Sequence, residues 1–190
     1  MVLHMIIGYE INPQNDNDSQ MFPSDDSNWP RCPKCRYTIN CDYISPLFKL
    51  GKQLYDISST YDNAIIVSLK FKEFCVKNKY KGVEFRKLPN DPNFFKLEVK
   101  NIIEYDAKKN AKLEYYKYCD KCNNYASITH ARPVFLKGIH KPLNDEFYAT
   151  DVHFASGNEK SPIFIIGVET YKKMKKEKFK GIIFSKIEQD

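Results

Sequence analysis

Two short cysteine motifs hold the residues of this sequence that are best suited to chemistry. They are residues 32–35 (CPKC) and 119–122 (CDKC), and we call them the first hook and the second hook. Each hook places two thiols two residues apart at a turn, which is how half of a tetrahedral zinc site is usually built. Four thiolates leave no open position for water, so the pattern predicts a structural Zn²⁺. Its predicted ligands are Cys32, Cys35, Cys119 and Cys122.

The two hooks are far apart in the sequence. Compact zinc ribbons separate their cysteine pairs by roughly 15–20 residues, whereas a much longer stretch lies between Cys35 and Cys119. A shared metal would therefore tie the front of the chain to its second half. Two alternatives stay open: a redox-active pair, and cysteines that hold no metal. A redox pair needs the start of a helix to lower the thiol pKa, and residues 37–44 do not have a helical pattern.

The positions after the hooks differ from the usual zinc-site pattern. Glycine is common there because the backbone favours a left-handed conformation, but this chain has Arg36 and Asn123. Asparagine tolerates that conformation and arginine does so poorly. Of the other cysteines, Cys41 can substitute as a ligand but is expected to be a bystander. Cys75 falls on an apolar helix face and is expected in the core.

The segments after the two hooks resemble each other. One shift of the chain along itself places Cys32, Lys34, Cys35, Pro46, Phe48 and Gly51 on Cys119, Lys121, Cys122, Pro133, Phe135 and Gly138. A longer shift places Ile66, Lys77, Lys79, Gly82 and Phe85 on Ile165, Lys176, Lys178, Gly181 and Phe184. We interpret this as an internal duplication, with pseudo-repeats at about 32–88 and 119–187. The alternative is chance similarity in a chain rich in Lys and Ile.

The composition predicts a single globular domain, residues 1–190. Hydrophobic residues make up 42% of the chain, with 13 Tyr and 13 Phe, which is enough for a core that does not depend on metal alone. The net charge of +6 permits contact with an anionic partner without requiring it. Residues 1–9 lack the basic start of a signal peptide, and no stretch approaches the roughly 20 apolar residues of a membrane span. We therefore expect a cytoplasmic protein, in which cysteines bind metal more often than they form disulfides.

Hydrophobic periodicity predicts the elements that must position the hooks. The predicted strands are residues 2–11, 65–68, 83–85, 94–105, 111–118, 147–154, 163–166 and 181–184. The predicted helices are residues 69–79 and 168–178. Residues 12–30 are rich in Asn, Asp, Ser and Pro and predict a loop. The result is an α+β fold of two strand-helix-strand units, joined by a hairpin of 94–105 with 111–118 and by a zinc-ribbon-like four-cysteine site.

Two charged surfaces are candidates for contact with a partner. The loop contributes an acidic patch whose members are Asp16, Asp18, Asp25 and Asp26. The second predicted helix contributes a basic face with Lys172, Lys173 and Lys176. Each charge run also has a simpler interpretation as a solvated surface, and the lysines can contact a phosphate backbone.

Few other residues point to catalysis. Asp151 and His153 alternate on a predicted strand and would form an acid–base pair if they faced one side, although a strand with an ordinary histidine is the simpler interpretation. The chain has no nucleophile elbow, no phosphate-binding glycine loop and no paired-histidine metal motif. We therefore expect a protein that is not an enzyme.

The hooks and the C-terminal residues resemble a known family. Residues 151–154 (DVHF), 161–166 (SPIFII) and 180–187 (KGIIFSKI) are similar to the C-terminal signature of bacterial double-CXXCG-motif proteins. That family is regarded as immunity proteins of polymorphic or contact-dependent toxin systems. The resemblance covers the hooks and about the last 40 residues, and it departs from the family where Arg36 and Asn123 replace glycine.

The resemblance implies a cytosolic inhibitor that binds a cognate toxin domain. A basic toxin would fit the acidic patch, and an acidic toxin would fit the lysine-rich helix. We expect neither a nucleic acid nor a membrane as the partner. The alternative function is a zinc-ribbon nucleic-acid-binding protein that uses the lysine-rich helix, with an affinity that falls steeply with salt.

Overall fold

The structure is a computed structural model that describes residues 4–17, 19–51 and 55–189. Its α+β architecture, mostly sheet with two helices, confirms the predicted fold class. The strands are β1 (Met5–Asn17), β2 (Ile57–Thr60), β3 (Ile65–Ser68), β4 (Val83–Lys87), β5 (Phe94–Val99), β6 (Ile102–Ile103), β7 (Glu114–Cys119), β8 (Asn124–Thr129), β9 (Phe147–Ser156), β10 (Ser161–Ile166) and β11 (Ile182–Gln189). The helices are α1 (Leu69–Lys77) and α2 (Val168–Glu177). No helix in the described ranges is long and apolar enough to cross a membrane.

Strand β1 lies at the centre of the sheet. The strand order is β4-β5-β3-β2-β1-β10-β9-β8-β7, with β11 also paired to β1 and β6 to β9. From Met5 to Pro13, β1 pairs with β11, and at Tyr9 and Glu10 it also pairs with β10. From Gln14 onward it runs parallel to β2. One long strand thus connects the two halves of the sheet.

Each helix connects two parallel strands that are not neighbours. Helix α1 joins β3 to β4, and both of these strands run antiparallel to β5, which lies between them. Helix α2 joins β10 to β11, and both run antiparallel to β1, which lies between them. The sequence predicts the two strand-helix-strand units but not the strand that separates each parallel pair.

Both helices pack on one face of the sheet. The side chain of Ser68 caps α1 by accepting a hydrogen bond from the N–H of Phe71, at 3.3 Å. Phe71 and Phe74 are buried, and their rings meet that of Phe179, which follows α2, at centroid distances of 5.4 and 5.2 Å. Cys75 is 1% exposed and belongs to this apolar cluster, which confirms its predicted place in the core.

Two further apolar clusters support the regions that carry the hooks. One surrounds Tyr105 and Phe154, whose rings are 4.8 Å apart. The other contains Phe22, Trp29 and Phe48, and it holds the long loop that leads to the first hook. The indole N–H of Trp29 donates to the hydroxyl of Thr38 at 3.0 Å, so the loop is fixed on both sides of the hook.

The predicted hairpin of residues 94–105 with 111–118 is wrong. Strand β5 pairs with β3 and β4, whereas β7 pairs with β8 through a turn that is the second hook. Five of the six side chains of β5 are buried, while five of the six in β7 are exposed. A strand with that much burial needs a neighbour on each side, and β5 finds both in the first unit.

The predicted loop at residues 12–30 begins too early. Strand β1 continues to Asn17, because Gln14 and Asn17 pair with Ser58 and Thr60 of β2. The polar composition of residues 14–17 hides this strand from a pattern based on hydrophobic alternation.

Candidate metal centre

The four hook cysteines come together at one point. Their sulfur atoms all lie within 4.8 Å of one another. The Cys32 and Cys119 sulfurs are 3.9 Å apart, and the Cys35 and Cys122 sulfurs are 3.7 Å apart. The predicted set of ligands is therefore assembled in space, despite the long separation in sequence.

Both hooks are tight turns between two short extended segments. The second hook closes the β7–β8 hairpin, in which Cys119 lies opposite Asn124. The first hook is flanked by a single bridge between Arg31 and Thr38. Its turn is closed by a hydrogen bond from the N–H of Cys32 to the carbonyl of Tyr37, at 2.8 Å.

The residue after each hook adopts the left-handed conformation. Arg36 has φ 67° and Asn123 has φ 51°. The N–H of Arg36 also donates to the carbonyl of Cys32 at 2.9 Å. The chain therefore takes the backbone shape that zinc hooks favour, even though arginine pays a steric cost for it.

Backbone amides favour the thiolate form of the first cysteine in each hook. Hydrogen bonds from the N–H groups of Cys35 and Lys34 lower the pKa of the Cys32 thiol to about 6. The N–H groups of Cys122 and Lys121 lower the pKa of the Cys119 thiol in the same way. Hydrogen bonds to the charged form stabilise it, which is the reason for both shifts.

The second cysteine of each hook behaves differently. Burial raises the pKa of the Cys35 thiol. Burial, and to a smaller extent the hydrogen bond with the Cys119 sulfur, raises the pKa of the Cys122 thiol to about 12. Without a cation, two of the four thiols therefore keep their protons near neutral pH. A bound divalent cation would displace these protons, because only thiolates ligate metal strongly.

The sulfur geometry fits a four-coordinate metal ion. A tetrahedral site with Zn–S bonds of about 2.3 Å separates its sulfurs by about 3.8 Å, close to the 3.7 and 3.9 Å found here. All six cysteines of the described ranges are free thiols. Four soft thiolates suit zinc or an iron centre, so this cluster can hold a metal ion.

Charged side chains tie the hooks together and face the cluster. Lys34 in the first hook and Asp120 in the second form an ion pair of 2.6 Å. Lys160 lies near the sulfurs of Cys35 and Cys122, which favour its charged form, although burial is the stronger influence and lowers its pKa. These lysines offset the negative charge that four thiolates bring together.

The other candidate residues lie outside this cluster. The carboxylate of Asp151 accepts the N–H of Tyr105 at 2.8 Å. The Nδ1 atom of His153 lies 3.8 Å from the Cys41 sulfur. The two members of the suggested acid–base pair thus have separate partners. Cys41 does not join the four hook sulfurs, as expected for a bystander.

One member of the predicted acidic patch, Asp26, is buried instead of lying on an open surface. Asp26 is only 3% exposed, and its carboxylate accepts hydrogen bonds from the hydroxyl of Tyr43 at 2.6 Å and the N–H of Asn28 at 2.9 Å. It stabilises the loop instead of facing a partner. Asp25 is exposed. Asp18 lies outside the described residues, and of Asp16 only the backbone is described.

The lysines of α2 differ in how free they are. Lys172 pairs with Glu169 at 2.6 Å, and Lys173 pairs with Asp145. Lys176 is exposed in the last turn of the helix. Of the three lysines singled out from the sequence, two therefore already have carboxylate partners within the protein.

An exposed tyrosine strand is the feature that the sequence analysis misses. Tyr115, Tyr116 and Tyr118 of β7 are 46%, 59% and 56% exposed. The rings of Tyr115 and Tyr118 both contact Tyr125 of β8, at 4.9 and 5.1 Å. The signal in the sequence is the run of tyrosines immediately before the second hook, where a half-buried strand would carry aliphatic residues at alternate positions.

Neither a protein-family model nor a curated protein matches the chain.

Proposed function

We propose that this protein is a non-enzymatic inhibitor that binds and neutralises a cognate bacterial toxin domain, with its fold fastened by one structural Zn²⁺. The convergence of the four hook sulfurs is the observation that carries the proposal. A closed set of four thiolates leaves no position for a substrate or a reactive water, which favours a structural role over a catalytic one. The toxin partner rests on the resemblance in sequence to double-CXXCG-motif immunity proteins.

The segments that carry this resemblance are close together in the fold. Residues 151–154 and 161–166 belong to the antiparallel neighbours β9 and β10, and residues 180–187 lead into β11. Strands β10 and β11 both pair with β1. The resemblance therefore concerns one connected part of the sheet rather than scattered strands.

The proposed duplication has support from matching backbone details. Cys32 contacts Cys119 and Cys35 contacts Cys122, so each cysteine meets its own counterpart in the other pseudo-repeat. Lys79 and Lys178 are also counterparts, and both are left-handed, with φ 59° and 52°. A duplicated ancestor would place its two hooks around one pseudo-twofold axis and so form a four-cysteine site from two halves.

The tyrosine strand is the proposed contact for the toxin. Exposed tyrosines dominate the energetics of many protein interfaces because they bury a large area at a low entropic cost. Tyr116 and Tyr118 meet that description, and the adjacent metal site holds the hairpin that carries them. Among the side chains of these two predicted surfaces that the structure describes, Asp25 and Lys176 are exposed and belong to no ion pair.

The metal is tested by elemental analysis of the untagged protein, with thiols counted before and after a strong chelator. We expect about one zinc per chain and four thiols that become reactive together. Cys119→Ala should abolish metal binding, whereas the control Cys75→Ala should retain it, because Cys75 lies in the apolar core. Hook thiols that react freely before chelation would contradict the metal site.

The partner is tested by co-purification with the protein encoded next to it. We expect a one-to-one complex that the double variant Tyr116→Ala/Tyr118→Ala weakens by at least about tenfold, as loss of interface aromatics usually does. Asp25→Lys and Lys176→Glu measure the two charged surfaces in the same assay. Retention of full affinity by all three variants would reject these surfaces, and absence of any complex would reject the immunity function.

Binding of nucleic acid is the second candidate function. Helix α2 ends in the exposed lysines Lys175 and Lys176, and such a surface can contact phosphates. This function predicts an affinity for DNA or RNA that falls steeply with salt and is lost in Lys175→Glu/Lys176→Glu. The toxin-binding function predicts no such affinity.

A further inference from the structure

The four hook cysteines are also placed for a covalent modification of their own. This inference deepens the function proposed above and rests on its four-cysteine site. Cys35 and Cys122 are half-buried, whereas Cys32 and Cys119 are 1% and 7% exposed. Because oxidation of a cysteine requires access to its sulfur, an oxidant from solution reaches Cys35 or Cys122 first.

The two accessible sulfurs belong to different hooks and lie next to each other. The distance between the sulfurs of Cys35 and Cys122 is 3.7 Å. A disulfide bond is about 2.05 Å long, so a small movement of these two side chains brings the sulfurs into bonding distance. The geometry therefore favours a bond between the hooks over a bond within either hook.

The buried sulfurs are held more firmly than the accessible ones. The sulfurs of Cys32 and Cys119 each accept hydrogen bonds from two backbone N–H groups of their own hook. They are 3.9 Å apart and form the second pair across the two hooks. On the outer side, the exposed ion pair between Lys34 and Asp120, at 2.6 Å, keeps the two turns together.

We propose that a peroxide oxidises Cys35 and Cys122 to a disulfide across the two hooks, and that Cys32 and Cys119 form a second one when more oxidant is present. One sulfur of the pair attacks a peroxide oxygen, the O–O bond breaks, and the leaving hydroxide takes a proton to become water. The other sulfur then attacks the sulfenic acid, an S–S bond forms, the S–O bond breaks, and a second water leaves.

Each disulfide balances against one molecule of hydrogen peroxide. The two sulfurs lose two electrons in total, and the peroxide gains them to become two molecules of water. The two protons required come from the thiols, or from solvent where the sulfurs are thiolates bound to metal. A zinc ion bound by four thiolates leaves as Zn²⁺, because two thiolates no longer complete its site.

The new bond joins the same two regions of the chain that the metal would join. Cys35 belongs to the loop of the first hook, and Cys122 to the turn between β7 and β8. A covalent link between them closes a long loop of the chain and so restricts it. Oxidation therefore replaces the metal and keeps the hairpin of the tyrosine strand in place.

The test treats the zinc-loaded protein with one equivalent of hydrogen peroxide per chain, blocks the remaining thiols with N-ethylmaleimide, and reads the disulfides by peptide mass spectrometry. Trypsin cleaves after Lys34 and Lys121, so each hook cysteine falls on its own peptide. We expect the bond between Cys35 and Cys122 to exceed both bonds within the hooks together by at least about fivefold, because access and proximity favour the same pair.

Serine variants assign the bond to its two cysteines. Cys32→Ser retains Cys35 and Cys122 and should still form the bond between them, whereas Cys35→Ser should lower the yield of disulfide at least about fivefold, since its remaining pair is buried. Cys41→Ser is the control and should behave as the parent protein, because Cys41 lies at His153 and not in the cluster. If a variant does not fold, the bonds found in the parent protein decide the test.

Hydrogen exchange measures whether the disulfide replaces the metal. After zinc removal, residues 114–129 should exchange at least about tenfold more slowly in the oxidised protein than in the reduced one, because the bond prevents local opening. Equal exchange in both forms would overturn this part of the proposal.

The outcomes separate this proposal from the zinc site on which it rests. A zinc-loaded protein that forms mainly bonds within each hook, or sulfinic acids without disulfides, would overturn the proposal and leave the metal in place. A protein without zinc that still forms the bond between Cys35 and Cys122 would support the proposal and reject the metal.

Discussion

At Arg36 the hook requires a backbone angle φ that residues with a Cβ atom disfavour. Its φ of 67° is a conformation that costs a residue with a Cβ atom about 1–2 kcal/mol. Asn123 adopts the same shape after the second hook, but asparagine tolerates it. The two hooks therefore carry different amounts of strain although their geometry is similar.

We expect Arg36→Gly to stabilise the zinc-loaded protein by about 0.5–1 kcal/mol, the relief of strain less the entropy that glycine loses on folding. Asn123→Gly should change the free energy of unfolding by much less. Urea denaturation measures both. Arg36→Ala is the control: because alanine keeps the strain, an equal gain in this variant would show that the arginine side chain, and not its backbone, limits stability.

Asp145, which lies just before β9, joins the segment that follows α1 to helix α2. It accepts hydrogen bonds from the hydroxyls of Tyr80 and Thr170, each at 2.9 Å, and pairs with Lys173. Burial alone would raise its pKa, but the bonds from Lys173, Thr170 and Tyr80 outweigh burial and hold the pKa below its ordinary value. A lowered pKa adds stability that is present above the ordinary value, near 4, and is lost in acid.

Asp145→Asn should therefore destabilise the protein at pH 6 by about 1 kcal/mol, a value that allows for the partial exposure of the pair. The difference from the parent protein should be smaller at pH 3, because the carboxylate is then largely protonated in the unfolded state and its contribution to stability is being lost. Denaturation at the two pH values gives the comparison. Glu169→Gln removes an exposed pair and should change little at either pH, so an equal loss in both variants would contradict this role.

At the level of elements, the entry to β11 depends on a glycine that nothing larger can replace. Gly181 has φ +83°, and a Cβ atom there would lie 2.2 Å from the carbonyl oxygen of Ile57. Gly138 has a similar angle, φ +69°, but nothing lies within 4 Å of the corresponding Cβ position. The two glycines share one conformation and differ only in their surroundings.

Replacing each of these two glycines with alanine should lower the free energy of unfolding by a different amount. Gly138→Ala should lower the free energy of unfolding by about 1 kcal/mol, the cost of the left-handed conformation. Gly181→Ala should lower it by about 3 kcal/mol or more, because the chain must also move away from the backbone of β2. Thermal and urea unfolding measure both variants. Equal losses of stability in the two variants would mean that the backbone at the start of β11 can move away from β2 without a measurable loss of stability.

The sequence predicts those elements whose signals are local. Helix α1 follows from apolar residues at helical spacing and ends at Lys77, close to the predicted bounds. The partners of β5 and β7 cannot be read in the same way, because strand pairing is decided by residues distant in the chain. The burial of Asp26 is missed for the same reason, since its Tyr43 partner comes from beyond the first hook.

For the whole molecule, the hooks attach two peripheral regions to each other. The first hook belongs to a loop outside the named strands, and the second closes the outermost hairpin of the sheet. The apolar cluster beneath the helices contains neither hook. The central sheet is therefore held by strand pairing and apolar packing, whereas a metal ion would hold the two hooks together.

We expect a chelator to loosen the hooks without unfolding the centre. Hydrogen exchange followed by mass spectrometry should show faster exchange in residues 31–41 and 114–129 after metal removal. Exchange in β1 and β11 should remain slow, because their ladder and the helical cluster do not depend on the metal. Faster exchange throughout the chain would show instead that metal loss is a global unfolding event.

The position of β1 in the sequence also determines how late its strand partners are synthesised. This strand is synthesised before most of the chain, yet its neighbours β10 and β11 come near the other end of the described sequence. On a ribosome, β1 must wait with unpaired edges while the intervening residues are made. A sheet with so many distant pairings folds slowly, so the apolar residues of β1 stay open to association with other chains until β10 and β11 have been made.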